Sequence, residues 1–191
     1  MTGSVERHGR TLKTVLVRLE KVTLWQVVIL VTCVEAYLQD VLSAAASADP
    51  NLIGKSEPAA PYADVVSAPS LEVLAGNLRA RWARGWLNSG GPTRWIERLL
   101  QLGARGYPDD LATRLEQIWG IRHVVVHSAG IATADFVRLH PDVAARPGER
   151  IRISHGGFRP FLVAVEEFLE PTERFFITRY PSLPIAATES A

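Results

Sequence analysis

The chain contains 191 residues, of which 47% are hydrophobic and 21% charged, and its formal net charge is +1. This length and apolar content can form one substantial core, which argues against intrinsic disorder. A net charge near zero excludes a polycation of the histone type, so any nucleic-acid site must be local. The basic residues are 18 arginines and three lysines, a bias that fits either codon usage or a need for phosphate-binding guanidinium groups.

The single cysteine, Cys33, cannot form an internal disulfide, and no CxxC pair is present. Together with an N-terminus that lacks an apolar signal core, this predicts a cytoplasmic protein. The most apolar stretch, residues 24–42, is interrupted by Glu35 and Asp40, which argues against a membrane span. We interpret it as a buried helix and expect Cys33 to be a small buried side chain.

Helical periodicity dominates the first half of the chain. Apolar residues recur three and four apart over residues 11–48, which predicts two helices or one long bent helix. The Pro- and Ala-rich stretch 49–69 is predicted to be a loop. Ser70 is a predicted N-cap for a helix to Asn88, and Gly103 is the predicted end of the helix that follows it.

The second half contains a helix over residues 110–128, with Asp109 as a predicted cap. Alternating residues 150–154 after a Pro-Gly turn predict a short strand or extended arm. A final helix is expected from Phe158, kinked or divided at Pro171. The predicted fold is a single all-α helical bundle over residues 1–191, with a short extended, β-hairpin-like insertion before the last helix.

The sharpest motif is Arg122-His123-Val124-Val125-Val126-His127 at the end of the apolar helix. As a bare pattern it is weak, because an Arg–His pair at this distance is expected roughly once by chance. A second pair, Arg150 and His155, indeed follows. The setting favours the first pair, since charge in an apolar strip costs several kcal/mol unless it is paired. Alternatively, Arg122 pairs with Glu35 or Glu116 and both histidines cap backbone carbonyls.

This motif resembles the Arg-x(4–6)-His signature of the HEPN superfamily. The early segment 34–40 (Val-Glu-Ala-Tyr-Leu-Gln-Asp) is similar to a Glu-aromatic-Leu stretch in many of its members. Residues 146–153 and the final helix resemble the tail of a subset of the superfamily. The resemblance spans roughly residues 25–176, and its specific motif is the six-residue one.

The resemblance implies a helical bundle that dimerises with two motifs facing each other, and in active members a metal-independent endoribonuclease without a cofactor. His127 would transfer protons, Arg122 would stabilise the transition-state charge and His123 would orient or bind phosphate. The product would be a 2′,3′-cyclic phosphate. Glu35 is expected to pair with Arg122 and orient it. Ala129 replaces the tyrosine that partner-modified HEPN toxins carry two residues after the histidine, which argues against that regulation.

His123 and His127 also have the helical spacing of two zinc ligands. Because the chain lacks a HExxH glutamate and a nearby third Cys or His, we expect no metal site there.

A second feature is the basic segment 79–105, whose net charge is +5 against −4 for the rest of the chain, with Glu97 as its one acidic residue. Arginines with interleaved tryptophans suit phosphate contact and base stacking. We interpret Trp82, Trp86 and Trp95 as core residues. The predicted RNA-binding residues are Arg79, Arg81, Arg84, Arg94 and Arg98.

The leading hypothesis is therefore a homodimeric HEPN-type ribonuclease with a composite site. Its substrate would be RNA, its partner an antitoxin or defence-system protein, and its setting toxin–antitoxin or phage defence. The alternative is a non-catalytic HEPN-like module for protein–protein interaction, in which Arg122 and His127 are structural; fold analogy does not separate the two.

Overall fold

The computed structural model describes residues 2–53, 60–141, 143, 146–181 and 183, with side chains from residue 21 onwards except His155. Over these residues the chain is all-α, as predicted. A 3-10 turn at Pro50–Ile53 accompanies seven helices, which are α1 (Thr2–Ala48), α2 (Tyr62–Ser67), α3 (Leu71–Asn88), α4 (Gly91–Leu102), α5 (Leu111–His127), α6 (Ala134–Leu139) and α7 (His155–Arg179).

The predicted β-hairpin-like insertion is not confirmed. Residues 151–154 have no regular secondary structure, and the extended pairing in the described chain is a single antiparallel bridge between Ile131 and Arg150.

The chain divides into two compact units. The first consists of Met1–Thr32 and Asp110–Glu166, and the second of Cys33–Asp109 and Glu167–Ala191. The buried apolar side chains of the first unit come from residues 24–31 of α1, from α5, from the segment between α5 and α7, and from the first half of α7. Those of the second unit come mainly from the rest of α1, from α3 and α4, and from the end of α7.

Several helix ends lie where the sequence predicts them. Ser70 caps α3, since its hydroxyl accepts a hydrogen bond from the Val73 amide. Gly103 ends α4 with a φ of 111°, a left-handed conformation that glycine adopts without a Cβ penalty. The turn between α3 and α4 contains Gly90 with a φ of 124°, and the Trp95 indole then donates to the Leu87 carbonyl at 2.8 Å.

Other boundaries differ from the prediction. The stretch 49–69 is not all loop, because it contains the 3-10 turn and α2; its residues 54–59 lie outside the described chain. Asp110 rather than Asp109 precedes α5. The last helix begins three residues early at His155 and continues through the buried Pro171 without division. Pro171 removes one helical hydrogen bond, but buried residues before and after it in α7 stabilise the helix.

Helix α1 is not buried on all sides, and the prediction that Cys33 is buried is wrong. Leu24, Val27 and Val31 face inward, whereas Cys33 is exposed. The sequence is apolar on both faces here, so its periodicity does not distinguish the covered face from the open one. By length and composition alone, Lys21–Ala48 would also be able to cross a membrane, although a third of its most apolar window is buried in the protein.

Candidate functional site

The candidate site lies at the C-terminal end of α5. Ile118, Ile121 and Val124 anchor this helix in the first unit, each 2% exposed or less. The opposite side of the helix faces solvent and carries the two histidines of the motif, His123 and His127. The helix ends at His127, so this imidazole lies in the last turn of α5.

The structure brings His123 and His127 together. Their ring centroids are 4.6 Å apart at an interplanar angle of 42°, and both side chains are exposed. The i, i+4 spacing produces this contact, because residues four apart lie one above the other on a helix. Two adjacent imidazoles in contact with water can exchange protons with a bound ligand.

Arg122 lies on a different face of α5. Residues five apart on a helix differ in direction by about 140°, so Arg122 and His127 diverge. The Arg122 side chain is half-buried, and its Nε is buried without a hydrogen-bond partner among the described residues. Half-buried Glu35, its predicted partner, belongs to the second unit whereas Arg122 belongs to the first. The Arg122–Glu35 pair stays a prediction.

A third imidazole packs against the same helix. Glu116, Gly120, His123 and His127 lie along one face of α5 by their spacing, and His140 packs on the middle of this face. A Cβ added to Gly120 would lie 2.5 Å from the His140 Nε2, so the ring uses the space that the missing side chain leaves. Burial lowers the pKa of His140, and nearby Glu116 partly opposes this shift.

Arg150 is a second basic residue at the end of α5. Its guanidinium donates a hydrogen bond of 2.8 Å to the carbonyl of Ala129. The backbone holds it there, because Ile151 donates to the Gly130 carbonyl and Ala132 donates to the Glu149 carbonyl, each at 2.8 Å.

Arg150 and His140 are absent from the functional residues predicted from the sequence. The second Arg–His pair was a signal for Arg150, and a glycine inside an apolar helix was a signal for a close neighbour such as His140.

The arginines of the basic segment fall into two groups. Arg81 pairs with Asp64 at 2.7 Å, Arg94 pairs with Glu97 at 2.7 Å, and Arg98 donates to the Trp86 carbonyl at 2.7 Å. Arg79 and Arg84 form no hydrogen bond or ion pair with any described residue. Asp64 comes from outside the segment, so the segment is less basic in the fold than in the sequence.

The tryptophans of this segment are largely core residues, as interpreted from the sequence. Trp82 and Trp95 are buried, at 9% and 2% exposure. Trp86 is half-buried and lies under the guanidinium of Arg98, whose central carbon is 5.5 Å from the ring centroid. This cation–π contact and the hydrogen bond to the Trp86 carbonyl join α4 to the end of α3.

An open pocket of about 530 Å³ in the second unit is lined by Arg105, Arg174 and Arg179 together with Phe175. Arg105 donates to the carbonyls of Leu100 and Ala104, and Arg174 pairs with Glu170. Arg179 lies in the last turn of α7. Because cations near helix C-termini offset unpaired carbonyls, Arg105 and Arg179 stabilise the helix ends that they border.

Among the described side chains, no group of three or more His, Cys, Asp or Glu residues has the arrangement of a metal site.

No family model matches this chain, and the searches of curated proteins and of solved structures likewise return no match.

Proposed function

We propose that this protein is a metal-independent endoribonuclease of the HEPN type. The observation that carries the proposal is the contact between the exposed imidazoles of His123 and His127, 4.6 Å apart at the end of α5. An RNA strand supplies its own nucleophile, the ribose 2′-hydroxyl. The enzyme then needs a proton acceptor, a proton donor and a cation for the developing phosphorane charge.

The imidazole pair supplies the first two groups. In the proposed reaction, neutral His127 accepts the 2′-hydroxyl proton while the 2′-oxygen attacks the adjacent phosphorus. The bond from phosphorus to the 5′-oxygen breaks, and a protonated imidazole donates to this leaving oxygen. The products are a 2′,3′-cyclic phosphate and a 5′-hydroxyl end. In this proposal His123 binds the phosphate or acts as the donor.

Arg122 supplies the cation, and a second copy of the chain completes the site. Arg122 and His127 of one chain diverge by about 140° around the helix, so one protomer does not present both to the same phosphate directly. A homodimer in which two α5 ends face each other resolves this, because each cleft then contains arginine and histidine from different chains. The buried Nε has no hydrogen-bond partner among the described residues, which fits an arginine that these residues do not fully engage.

The biological setting that we propose is a toxin–antitoxin or phage-defence system in the cytoplasm, with a protein partner that restrains the activity. Substrate RNA would contact Arg79 and Arg84, which are not engaged by described residues, more than it contacts Arg81, Arg94 and Arg98.

The test is cleavage of single-stranded RNA by the purified chain in EDTA. Wild type should cleave, and His127→Ala and Arg122→Ala should each lose about 100-fold or more of the rate, the first through loss of general acid–base catalysis and the second through loss of transition-state charge stabilisation. Arg138→Ala, an exposed residue of the same unit on α6, is the matched control and should retain full activity. A substrate with 2′-deoxyribose at the cleaved position should resist.

The product ends identify the reaction. A 2′,3′-cyclic phosphate supports attack by the 2′-hydroxyl, whereas a 3′-hydroxyl with a 5′-phosphate contradicts it. If wild type cleaves no RNA, or if both variants cleave at the wild-type rate, the enzyme proposal is wrong and the alternative of a non-catalytic interaction module takes its place.

A further inference from the structure

Helix α1 is apolar on two sides, and the chain covers one of them. On the inner side Leu24 is 4% exposed, and Val27 and Val31 are fully buried. On the outer side Val22 is 55% exposed, Trp25 58% and Ile29 60%. A helix that is hydrophobic all round is normally covered all round, and a contiguous exposed apolar stripe marks an interaction surface.

The outer side follows a seven-residue repeat. Starting from Val22 and Ile29, mostly apolar or small residues continue in both directions of the sequence at alternating steps of three and four, and half-buried Gln26 is the one polar member. The full series is Leu12, Val15, Leu19, Val22, Gln26, Ile29, Cys33 and Ala36. A hydrophobic period of 3.5 residues is typical of two helices that pack along a common seam. It is slightly shorter than the 3.6 residues per turn of a straight helix, so the paired helices coil around each other to keep the seam in contact. We call this series the outer seam; the α1 backbone is helical throughout it.

The charges of α1 indicate what covers the seam. Residues 2–21 contain five basic and two acidic residues, a net charge of +3, whereas residues 22–48 contain Glu35 and Asp40 and no basic residue, a net charge of −2. Two parallel copies of α1 would place the basic halves side by side. Two antiparallel copies place each basic half beside an acidic half, so their charges are complementary. The two helix dipoles then point in opposite directions, which is also favourable.

We propose that the outer seam of α1 is a self-association surface, covered by α1 of a second copy of this chain in antiparallel orientation. This inference does not depend on the proposed function, since it concerns α1 and not the imidazole pair on α5. It is a second interface besides the one that a composite site would need.

A lipid surface is the other occupant that an apolar helix can have, and two features of α1 disfavour it. Heptad spacing allows side chains to insert between those of a partner helix, and a lipid surface offers no such set of side chains. The inner face of the same helix is already packed in the protein, so α1 cannot cross a membrane without leaving that core.

The first experiment measures mass in solution by light scattering. Wild type should have an even multiple of the 21.0 kDa chain mass. Ile29→Glu and Val22→Glu should each halve it, because a charge at the seam is not tolerated when a partner covers it. Leu139→Glu is the matched control, an equally exposed residue on α6 at 61%, and should leave the mass unchanged. Since all three positions are exposed, the far-UV CD spectrum should stay close to wild type, whereas loss of the partner should lower the Tm of the two seam variants.

Two results would overturn the proposal. One is a wild-type chain that is monomeric at high micromolar concentration, or seam variants that keep the wild-type mass. The other is binding of wild type to vesicles of 3:1 phosphatidylcholine and phosphatidylglycerol that Ile29→Glu abolishes, since lipid would then be the occupant. His127→Ala should leave the mass unchanged, so a failure of the ribonuclease proposal stays distinguishable.

The single cysteine tests the orientation. Cys33 lies in the seam nine residues from its midpoint, so antiparallel copies hold the two Cys33 residues roughly 27 Å apart at 1.5 Å per residue. Spin labels on Cys33 should therefore give an interchain distance on the order of 30 Å, and an oxidant should produce no disulfide-linked dimer. A parallel pair would place the two thiols face to face and form the disulfide readily, which contradicts the antiparallel arrangement.

Discussion

The guanidinium of Arg150 donates a hydrogen bond of 2.8 Å to the carbonyl of Ala129, two residues after His127. This contact joins a segment before α7 to the residues that end the histidine-bearing helix. Ala129 has a φ of 51°, a left-handed conformation that is uncommon for residues other than glycine, and the Arg150 contact stabilises it. The end of the candidate site is therefore held by residues more than 20 positions away.

Loss of the Arg150 contact should destabilise the protein. Arg150→Ala removes a charged hydrogen bond to a backbone carbonyl, so we expect the free energy of unfolding to fall by about 1 kcal/mol. Urea unfolding at neutral pH measures this. Arg152→Ala, an exposed arginine two residues along, serves as control and should stay within about 0.5 kcal/mol of wild type. Equal losses in both variants would show that the Ala129 contact contributes nothing specific.

Arginines without partners should matter more for RNA affinity than paired ones. Arg84→Ala should weaken binding of a single-stranded RNA and reduce the salt slope of log K by about 0.7, the value for one phosphate contact on a single strand. Arg94→Ala should have a smaller effect, because Arg94 is held by Glu97. Fluorescence anisotropy over a series of salt concentrations measures both. A larger loss for Arg94→Ala than for Arg84→Ala would contradict the assignment.

Removal of the hydroxyl group should change the free energy of unfolding in opposite directions at two tyrosines of the second unit. The Tyr37 hydroxyl is buried without a partner among the described residues, so Tyr37→Phe should stabilise the fold by up to about 1 kcal/mol. The Tyr107 hydroxyl lies 2.9 Å from the Thr172 hydroxyl, which itself donates to the Phe168 carbonyl. Tyr107→Phe should therefore cost about 1 kcal/mol. Denaturant unfolding compares the two variants, and a same-sign result contradicts the prediction.

Alkaline pH gives a second measurement on Tyr37. Burial, reinforced by Glu173 and Tyr107, raises the pKa of Tyr37 to about 12 from its usual 10.0. The unfolded chain therefore loses this proton first, and stability present below pH 10 declines as the pH rises towards 12. Tyr37→Phe should remove this part of the decline.

His140 should make the protein less stable in mild acid. Burial lowers its pKa below the usual 6.5, so at pH values just below 6.5 the unfolded chain binds a proton that the folded chain does not. Stability is then lost as the pH falls through this window. His140→Gln should lose less stability than wild type between pH 7.5 and 5.5 in urea unfolding. Leu139→Gln, the exposed neighbour, should behave as wild type; an unchanged pH response in His140→Gln would contradict the prediction.

Local sequence patterns suffice to predict the fold class and several of the helix ends. Ser70 and Gly103 act within their own helices, through a side-chain cap and a positive φ, so neighbouring residues suffice to predict them. The contact between His123 and His127 was equally predictable, because the pitch of a helix places residues four apart in contact. All of these depend on geometry within one or two turns of backbone.

Contacts between groups far apart in the chain depend on the tertiary structure. It covers one apolar face of α1 and leaves Cys33 on the other, brings Asp64 to Arg81, and places His140 on Gly120. The sequence contains these residues but does not specify their pairing. A helix that is apolar on both sides allows several packings, and so do arginines that have no acidic residue nearby in the sequence. The energy that selects one packing comes from burial and hydrogen bonding among residues far apart in sequence, and no local pattern records it.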